Sequence, residues 1–362
     1  MKRIAPPSTS GRTRHDIPLS LTDAAITAMW AITGAIRRPA TPPSRDHTLT
    51  LQVVERRVVA LDQNVVALTL AAPDRRPLPA WHPGAHLDIH LPSGRIRQYS
   101  LCGDPGLRTC YRIAVRRIPD GGGGSVELHD RIDVGATVTS SGPRNAFPLS
   151  VPGYGSPARR LRFIAGGIGI TPILPMLGLA DRLGVDWSMI YAGRSEESLP
   201  FLDEVRRFGD RVHIRTDDSG IPTAADLVGD CPEGTTVYTC GPAPMLTAIR
   251  AALAGRGDVE LHFERFAAAP VVGGTRFTAT IASSGATVTV DPQETLLGAL
   301  RREQIAAPYS CQQGFCGTCR TRVIKGVVQH RDTLLTEPEH AAGMMLTCVS
   351  RAPEGGHLEL DL

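Results

Sequence analysis

The sequence predicts a multidomain chain in which an antiparallel β-barrel is followed by a doubly wound α/β unit and then by a small α+β unit. Three observations carry this. Short alternating apolar runs crowd residues 49–147, and apolar strands alternate with helical patterns across 160–265. After a Pro/Gly-rich break come a hairpin, a helix, a cysteine-rich stretch and a closing strand. With 362 residues the chain has room for two or three such units, each with a core of its own. The expected boundaries are an extension at 1–46, the barrel at 47–150, the α/β unit at 151–266, a linker at 267–275 and the last unit at 276–362.

The extension opens on a Pro-, Ser-, Thr- and Arg-rich tail. It continues as LSLTDAAITAMWAITGAIRRPA, where Ile26, Met29, Trp30, Thr33 and Ile36 or Arg37 recur at helical spacing. Asp23 near its start and Arg37 and Arg38 at its end suit the helix dipole. A membrane span takes about 20 predominantly apolar residues. This stretch is too short and too polar for that, so a helix on the protein's own surface is expected. The basic start is not followed by an apolar run and a small-residue cleavage site, and a reducing, cytoplasmic setting is expected.

In the barrel, LTLQVVERRVVAL, VVALTLAAP, AHLDIHLP, RQYSLCG, YRIAVRRI and ATVTSSGP each read as a strand bounded by Pro, Gly, Asp or Ser. In the α/β unit RLRFIAGG precedes a helix at 172–183, WSMIYAG one at 199–208, VHIRT one near 223–229 and TTVYTCG one at 243–254. That alternation is the signature of a parallel sheet. AAAPVVGGT is linker-like in composition. Beyond it RFTATIA and ATVTVD form a hairpin, ETLLGALRREQ a helix with Glu294 in its first turn, and HLELDL the closing strand.

A formal net charge of +3, with no basic stripe interleaved with aromatics, argues against nucleic acid as a partner. The cysteines say more. Of the eight, Cys311, Cys316, Cys319 and Cys348 fall in one C-terminal stretch. CQQGFCGTC with a distant fourth cysteine is C-x4-C-x2-C…C, the plant-type spacing for a two-iron cluster held by four thiolates. Structural zinc sites use two short ligand pairs instead. Gly314 and Gly317 let the loop curl so that backbone N–H groups can point at sulfur.

RFIAGGIGITPILPML sets Gly166, Gly167 and Gly169 between a strand and a helix opening at Thr171–Pro172, with Pro172 suited to a first helical position. Such a turn lets backbone approach a pyrophosphate at a helix N-terminus, though by itself it is also an ordinary turn with positive φ. VYTCGPAPML ends a late strand on Cys240, Gly241 and Pro242, where open α/β sheets bind ligands; Cys240 is placed either beside a nicotinamide or as a small buried hydrophobe. RQYSLCG offers Arg97 for a phosphate and Tyr99 for a flavin ring, in an alternation that any barrel strand shows. GGGGSVELHD offers Ser125 ahead of a helix start, or a flexible loop.

Together RQYSLCG, GGGGSVELHD, SGPRNAFPL, AGGIGITP, CGPAPM, HFERF and the cysteine segment ending LTCVSRA resemble the phthalate dioxygenase reductase family, which includes the vanillate demethylase reductase subunits. The resemblance covers residues 48–362. It implies a flavin barrel, a nucleotide domain and a C-terminal β-grasp ferredoxin. It further implies FMN rather than FAD, NADH rather than NADPH, and a Rieske-type terminal oxygenase as electron acceptor. It places Arg97, Tyr99 and Ser100 at the flavin, with Gln98 where Thr is usual. Val115 and Arg116 run along the flavin, and Gly124 and Ser125 take its phosphate. Gly166, Gly167, Thr171, Cys240 and Pro242 line the NADH site, and Glu264 and Phe266 stand near the flavin and the interdomain seam.

The implied activity converts a hydride donor into single-electron deliveries, with distance, orientation and electrostatics supplied by the protein and no catalytic acid–base residue required. His82, His86, His129 and His262 read as structural. The expected protein is a monomer without membrane contact. A cytochrome P450 or another acceptor is the alternative partner. A redox sensor or electron-shuttle module is the alternative class, against which AGGIGITP and CGPAPM argue.

Overall fold

The structure is a computed structural model that describes residues 21–22, 24–29, 48–60, 62, 65–119, 123–151, 158–266, 271–309, 311–314, 316–332 and 334–362. Residues 1–46 form one compact unit and 47–362 another. Within the first, residues 21–22 and 24–29 are helical. Asp23, Trp30, Thr33, Ile36, Arg37 and Arg38 of the expected helix lie outside the described residues. So do 267–270 of the expected linker and 121–122 of the glycine run. No helix among the described residues is long and apolar enough to cross a membrane.

The first sheet contains β1 (Thr48–Ala60), β2 (Val65–Ala71), β3 (Ala85–His90), β4 (Ile96–Ser100), β5 (Cys110–Arg116) and β6 (Thr137–Asn145), in the order β4-β3-β6-β1-β2-β5. Its pairings are antiparallel, and a bridge between Leu101 and Ile113 carries the end of β4 onto β5 and closes the ring. Alternation sends Leu51, Val53, Leu68, Leu70, Leu87, Ile89 and Val115 into the interior. Helix α1 (Gly124–Arg131) follows β5, preceded by Gly123 at φ 80°.

The second sheet is parallel throughout: β7 (Arg160–Gly166), β8 (Asp186–Gly193), β9 (Val212–Thr216), β10 (Thr235–Cys240) and β11 (Val259–Glu264), in the order β11-β10-β7-β8-β9. Chain order reverses between β7 and β10, which makes their carboxyl ends the switch point where such sheets hold ligands. Both strands are covered on both faces and are almost wholly buried, as central parallel strands require. The intervening helices are α2 (Ile170–Arg182), α3 (Leu202–Arg206), α4 (Ala224–Val228) and α5 (Ala243–Ala252). Helix α2 starts earlier than expected, because a 3-10 turn over Gly167–Gly169 runs straight into it. Pro172 is therefore its third residue, still within the turn whose N–H groups lack partners.

The barrel and the α/β sheet do not keep separate interiors. Ala60, Val65, Ala67, Cys102, Ala114 and Phe147 pack in one core with Leu161, Phe163, Ile170, Ile173 and Tyr191. Arg112 of β5 adds a two-pronged contact to Glu204 of α3, at 2.9 and 2.8 Å.

The third sheet, β13-β12-β16-β14-β15, is mixed: β12 (Phe277–Ile281), β13 (Thr287–Val290), β14 (Arg320–Lys325), β15 (Met344–Leu346) and β16 (His357–Asp361). Strands β12 and β13 form the expected hairpin. Helix α6 (Leu296–Arg302) is capped by Thr295, whose hydroxyl accepts from the Gly298 N–H at 3.0 Å. Glu294 thus sits before the cap and not in the first turn; its carboxylate reaches Arg302 instead, at 3.1 Å. A short helix α7 (Glu337–Ala341) and strands β14 and β15 complete the unit.

Arg351 is the polar keystone here. Only 1% exposed, it donates to the carbonyls of Glu294, Thr275 (2.8 Å) and Asp291 (3.0 Å) and lies over the Phe277 ring. Arg351→Leu strands three partly buried acceptors and is expected to cost about 2 kcal/mol. Denaturant unfolding followed by visible absorbance checks this: the C-terminal chromophore should bleach at clearly lower denaturant than in the parent.

Candidate functional site

A cavity opens where the barrel, the α/β unit and the C-terminal unit meet. It is lined by Arg97, Gln98, Tyr99 and Ser100 from β4, Arg116 from β5, Ser125 from α1, Thr171 from α2, Glu264 and Phe266 from the end of β11, and Cys311, Gln312 and Gln313 from the C-terminal unit. Nη2 of Arg97 donates to the Tyr309 hydroxyl at 2.6 Å, and the guanidiniums of Arg97 and Arg301 each lie 4.5 Å from the Tyr309 ring centre. A Cβ at Gly124 would come within 2.5 Å of Arg97 Nε, so a glycine there lets the arginine lie along the start of α1.

The cavity's electrostatics follow from burial. Burial raises the Glu264 carboxyl to about 8, opposed by the Ser100 hydroxyl. Its Oε2 is covered and has no hydrogen-bond partner among the described residues. Burial raises the Tyr99 phenol, with Arg97 pulling the other way, and lowers His86 to about 4. A buried, unpaired carboxylate oxygen and a cationic end suit a ligand with polar ring edges and an anionic tail.

The Glu264 shift has a stability consequence. The folded chain keeps a proton that the unfolded chain releases near 4.5. Stability of flavin-free protein should therefore fall as pH rises from about 4.5 to about 8, and level off above, by on the order of 5 kcal/mol. Glu264→Gln should flatten that slope. Urea midpoints across this range give the answer, and an unchanged slope in the variant removes Glu264 as its cause.

Beside the cavity runs a cleft of about 630 Å³ lined by Gly166, Gly167, Gly169, Arg194, Ser198, Asp217, Gly241 and Pro242, among others. Arg116, Ile118, Ile168 and Phe266 line both spaces. The glycines are there for room. A Cβ on Gly169 would stand 2.2 Å from the Cys240 carbonyl oxygen, and one on Gly166 2.6 Å from Pro242 Cδ. Backbone therefore forms the cleft floor at the switch point, with the N-terminus of α2 behind it, as a pyrophosphate needs.

The C-terminal loop brings the four cysteines together. Gly314 and Gly317 take φ of 87° and 75°, as their expected role in curling the loop requires. Backbone N–H groups donate to sulfur from Gln313 to Cys311 Sγ at 3.3 Å and from Cys311 to Cys316 Sγ at 3.5 Å. The thiols fall in two pairs. A hydrogen bond from Cys311 lowers Cys316 to about 5, and one from Cys348 lowers Cys319 while raising Cys348. One zinc ion would gather all four to about 3.8 Å of each other. Two irons that each take two thiolates match two pairs. The loop is docked on both upstream units: Gln313 Nε2 donates to the Arg265 carbonyl, and Arg144, paired with Asp88, donates to the Cys316 carbonyl at 3.3 Å.

Several expected residues stand elsewhere than foreseen. Val115 points into the barrel core, 1% exposed, while its neighbours Ala114 and Arg116 face the cavity. Thr171 faces the cavity, not the cleft, because α2 begins early and turns it; its hydroxyl donates to the Ile168 carbonyl at 3.0 Å. Cys240 is fully covered beneath the cleft floor, and burial, reinforced by Glu264, raises its thiol well above the ordinary range. Gly124 packs against Arg97, and the Ser125 hydroxyl donates to the Ile118 carbonyl. Among the lining residues not assigned to the site from sequence are His86, which was read as structural, and Gln312, Gln313, Arg265 and Asp217. Gln312 and Gln313 were legible, since they fill the spacer of the cysteine motif itself.

The comparisons with known proteins agree with this geometry. Residues 279–353 match the 2Fe-2S iron-sulfur cluster binding domain. The chain is 42% identical over 303 residues to phenoxybenzoate dioxygenase subunit beta of Ectopseudomonas oleovorans, covering 83% of this chain and 93% of that one. It resembles the solved phthalate dioxygenase reductase at 32% identity and a TM-score of 0.63, covering 89% and 100% of the two chains. An intact type IV self-sufficient cytochrome P450 monooxygenase matches at 39% identity and a TM-score of 0.64, over 90% of this chain; this chain spans 43% of that longer one.

Proposed function

The chain belongs to the phthalate dioxygenase reductase family of oxygenase reductases, and from that premise we propose that it carries electrons from NADH through FMN and a 2Fe–2S cluster to a Rieske-type terminal oxygenase. One observation carries the reading. Cys311 of the cysteine loop lines the same cavity as Tyr99 and Ser100, and that cavity shares Arg116 and Phe266 with the glycine-floored cleft. When bound, the flavin supplies the conversion of a hydride into two single electrons, and the cluster carries these onward one at a time.

The chain's own residues do the holding. Cys311, Cys316, Cys319 and Cys348 would grip the irons, in the two pairs described. Arg97 would meet the flavin phosphate, with Gln98, Tyr99, Ser100, Arg116 and Ser125 along the cofactor and Gly124 and Val115 supporting from behind. Glu264 and Phe266 would close the nicotinamide side, and Gly166, Gly167 and Pro242 would hold the nucleotide, with Cys240 beneath it and Thr171 facing the flavin. FMN over FAD rests on the family resemblance carried by RQYSLCG and GGGGSVELHD. NADH over NADPH is supported by Asp217 in the cleft, whose carboxylate opposes a 2′-phosphate that Arg194 alone would favour. The working divisions are 47–150 for flavin, 151–266 for NADH and 276–362 for the cluster, in a cytoplasmic monomer.

Anaerobic titration with NADH is the test. Full reduction should take about three electrons per chain, two on the flavin and one on the cluster, hence about 1.5 NADH. An iron–sulfur absorbance that NADH leaves untouched sinks the proposal. The likeness to part of a self-sufficient P450 favours a second acceptor class, and electron delivery to a separate P450 in place of an oxygenase would establish it.

A further inference from the structure

We propose that His330, Asp332 and His340 form a binding site for one divalent transition-metal ion of the zinc class on the C-terminal unit. They are the one trio of candidate ligands among the described residues whose donor atoms all lie within 4.8 Å of one another. His340 Nε2 is 3.4 Å and His330 Nδ1 3.9 Å from the Asp332 carboxylate oxygens. Ligands around a zinc ion with bonds of about 2.0–2.1 Å stand about 3.4 Å apart, so the spacing is close to that needed, and one imidazole turns out of the stack to aim its in-plane lone pair at the ion.

Each member is prepared in a different way. Among the described residues, His330 Nδ1 is covered from solvent and has no hydrogen-bond partner, a cost that an ion removes. The Asp332 carboxylate is fully covered and held in place by the Leu335 N–H at 2.9 Å and the Ser350 hydroxyl at 3.2 Å. Burial pushes that carboxyl up, but these bonds and His340 more than offset it, so it stays ionised. The other nitrogen of His340 lies 3.8 Å from the exposed Glu337 carboxylate, an ion-pair distance from a group that could orient a ligating imidazole. The two rings stand stacked at 3.7 Å.

Two imidazoles and a carboxylate select borderline metals over the all-oxygen ions magnesium and calcium. The histidine side chains are 25% and 15% exposed, which gives an ion entry and leaves a coordination position for water. The inference does not rest on the electron-transfer reading, and none of its ligands is a cluster cysteine.

The experiment is calorimetric titration with Zn²⁺ of holoprotein passed over a chelating resin, its visible spectrum intact before and after. One ion per chain is expected, bound at least about tenfold more weakly by His340→Ala and by His330→Gln. Equal affinity in both variants, or no uptake at about 100 µM Zn²⁺, overturns the site and leaves the trio a hydrogen-bonded cap on α7. Should His330→Gln lose its visible spectrum, His340→Ala decides alone.

Discussion

Cys316→Ser is expected to cut NADH-driven reduction of cytochrome c by at least about 100-fold while leaving NADH–ferricyanide turnover within about twofold. Cys316 is the half-buried member of the first thiol pair; its sulfur accepts the Cys311 N–H and its thiol donates to Thr318 Oγ1. A serine oxygen is a harder donor and protonated at neutral pH, so the iron it should hold is lost. The cavity at the barrel is built mostly from other elements, and the loop keeps its anchor through Gln313 to the Arg265 carbonyl. Two-electron chemistry upstream should therefore survive. Loss of both activities in a folded variant would mean that ferricyanide also draws its electrons through the cluster, and the order of the relay would be wrong.

Arg97→Ala is expected to weaken flavin retention at least tenfold, since a charge-assisted contact to phosphate is worth about 1.5–3 kcal/mol. Flavin content per chain after gel filtration measures it directly. Arg97 also contacts Tyr309, so a second variant separates its two roles. Tyr309→Phe removes that hydroxyl and leaves the guanidinium in place. Full flavin in Tyr309→Phe with depleted flavin in Arg97→Ala assigns the effect to phosphate binding. Equal depletion in both assigns it to the seam between the barrel and the C-terminal unit.

The parts of this protein legible from sequence are those in which chemistry or turns restrict spacing. The cysteine motif is the clearest, because four thiolates around two irons tolerate few loop lengths. Strands β1 to β5 and β7 to β10 were bracketed by Gly, Pro and Asp, and their alternation or apolar runs match the observed burial. What escaped depends on tertiary context. Ala60, Ala67 and Ala114 look unremarkable on the barrel's outer face, yet they join the core of the neighbouring unit. Thr171 lines the cavity where the cleft was expected, on a helix that a 3-10 turn starts early. Val115 could have been placed by period two alone, given that Ala114 and Arg116 face outward. Strands β14 and β15 and helix α7 were hidden behind the cysteine signal, although RTRVIK alternates plainly.

Iron, zinc and acid-labile sulfide in anaerobically purified protein bear most directly on the central claim. The two thiol pairs predict about two irons and two sulfides for each chain, with zinc absent from the cysteines. Zinc in their place, or a flavin-replete protein holding neither iron nor labile sulfide, would contradict it.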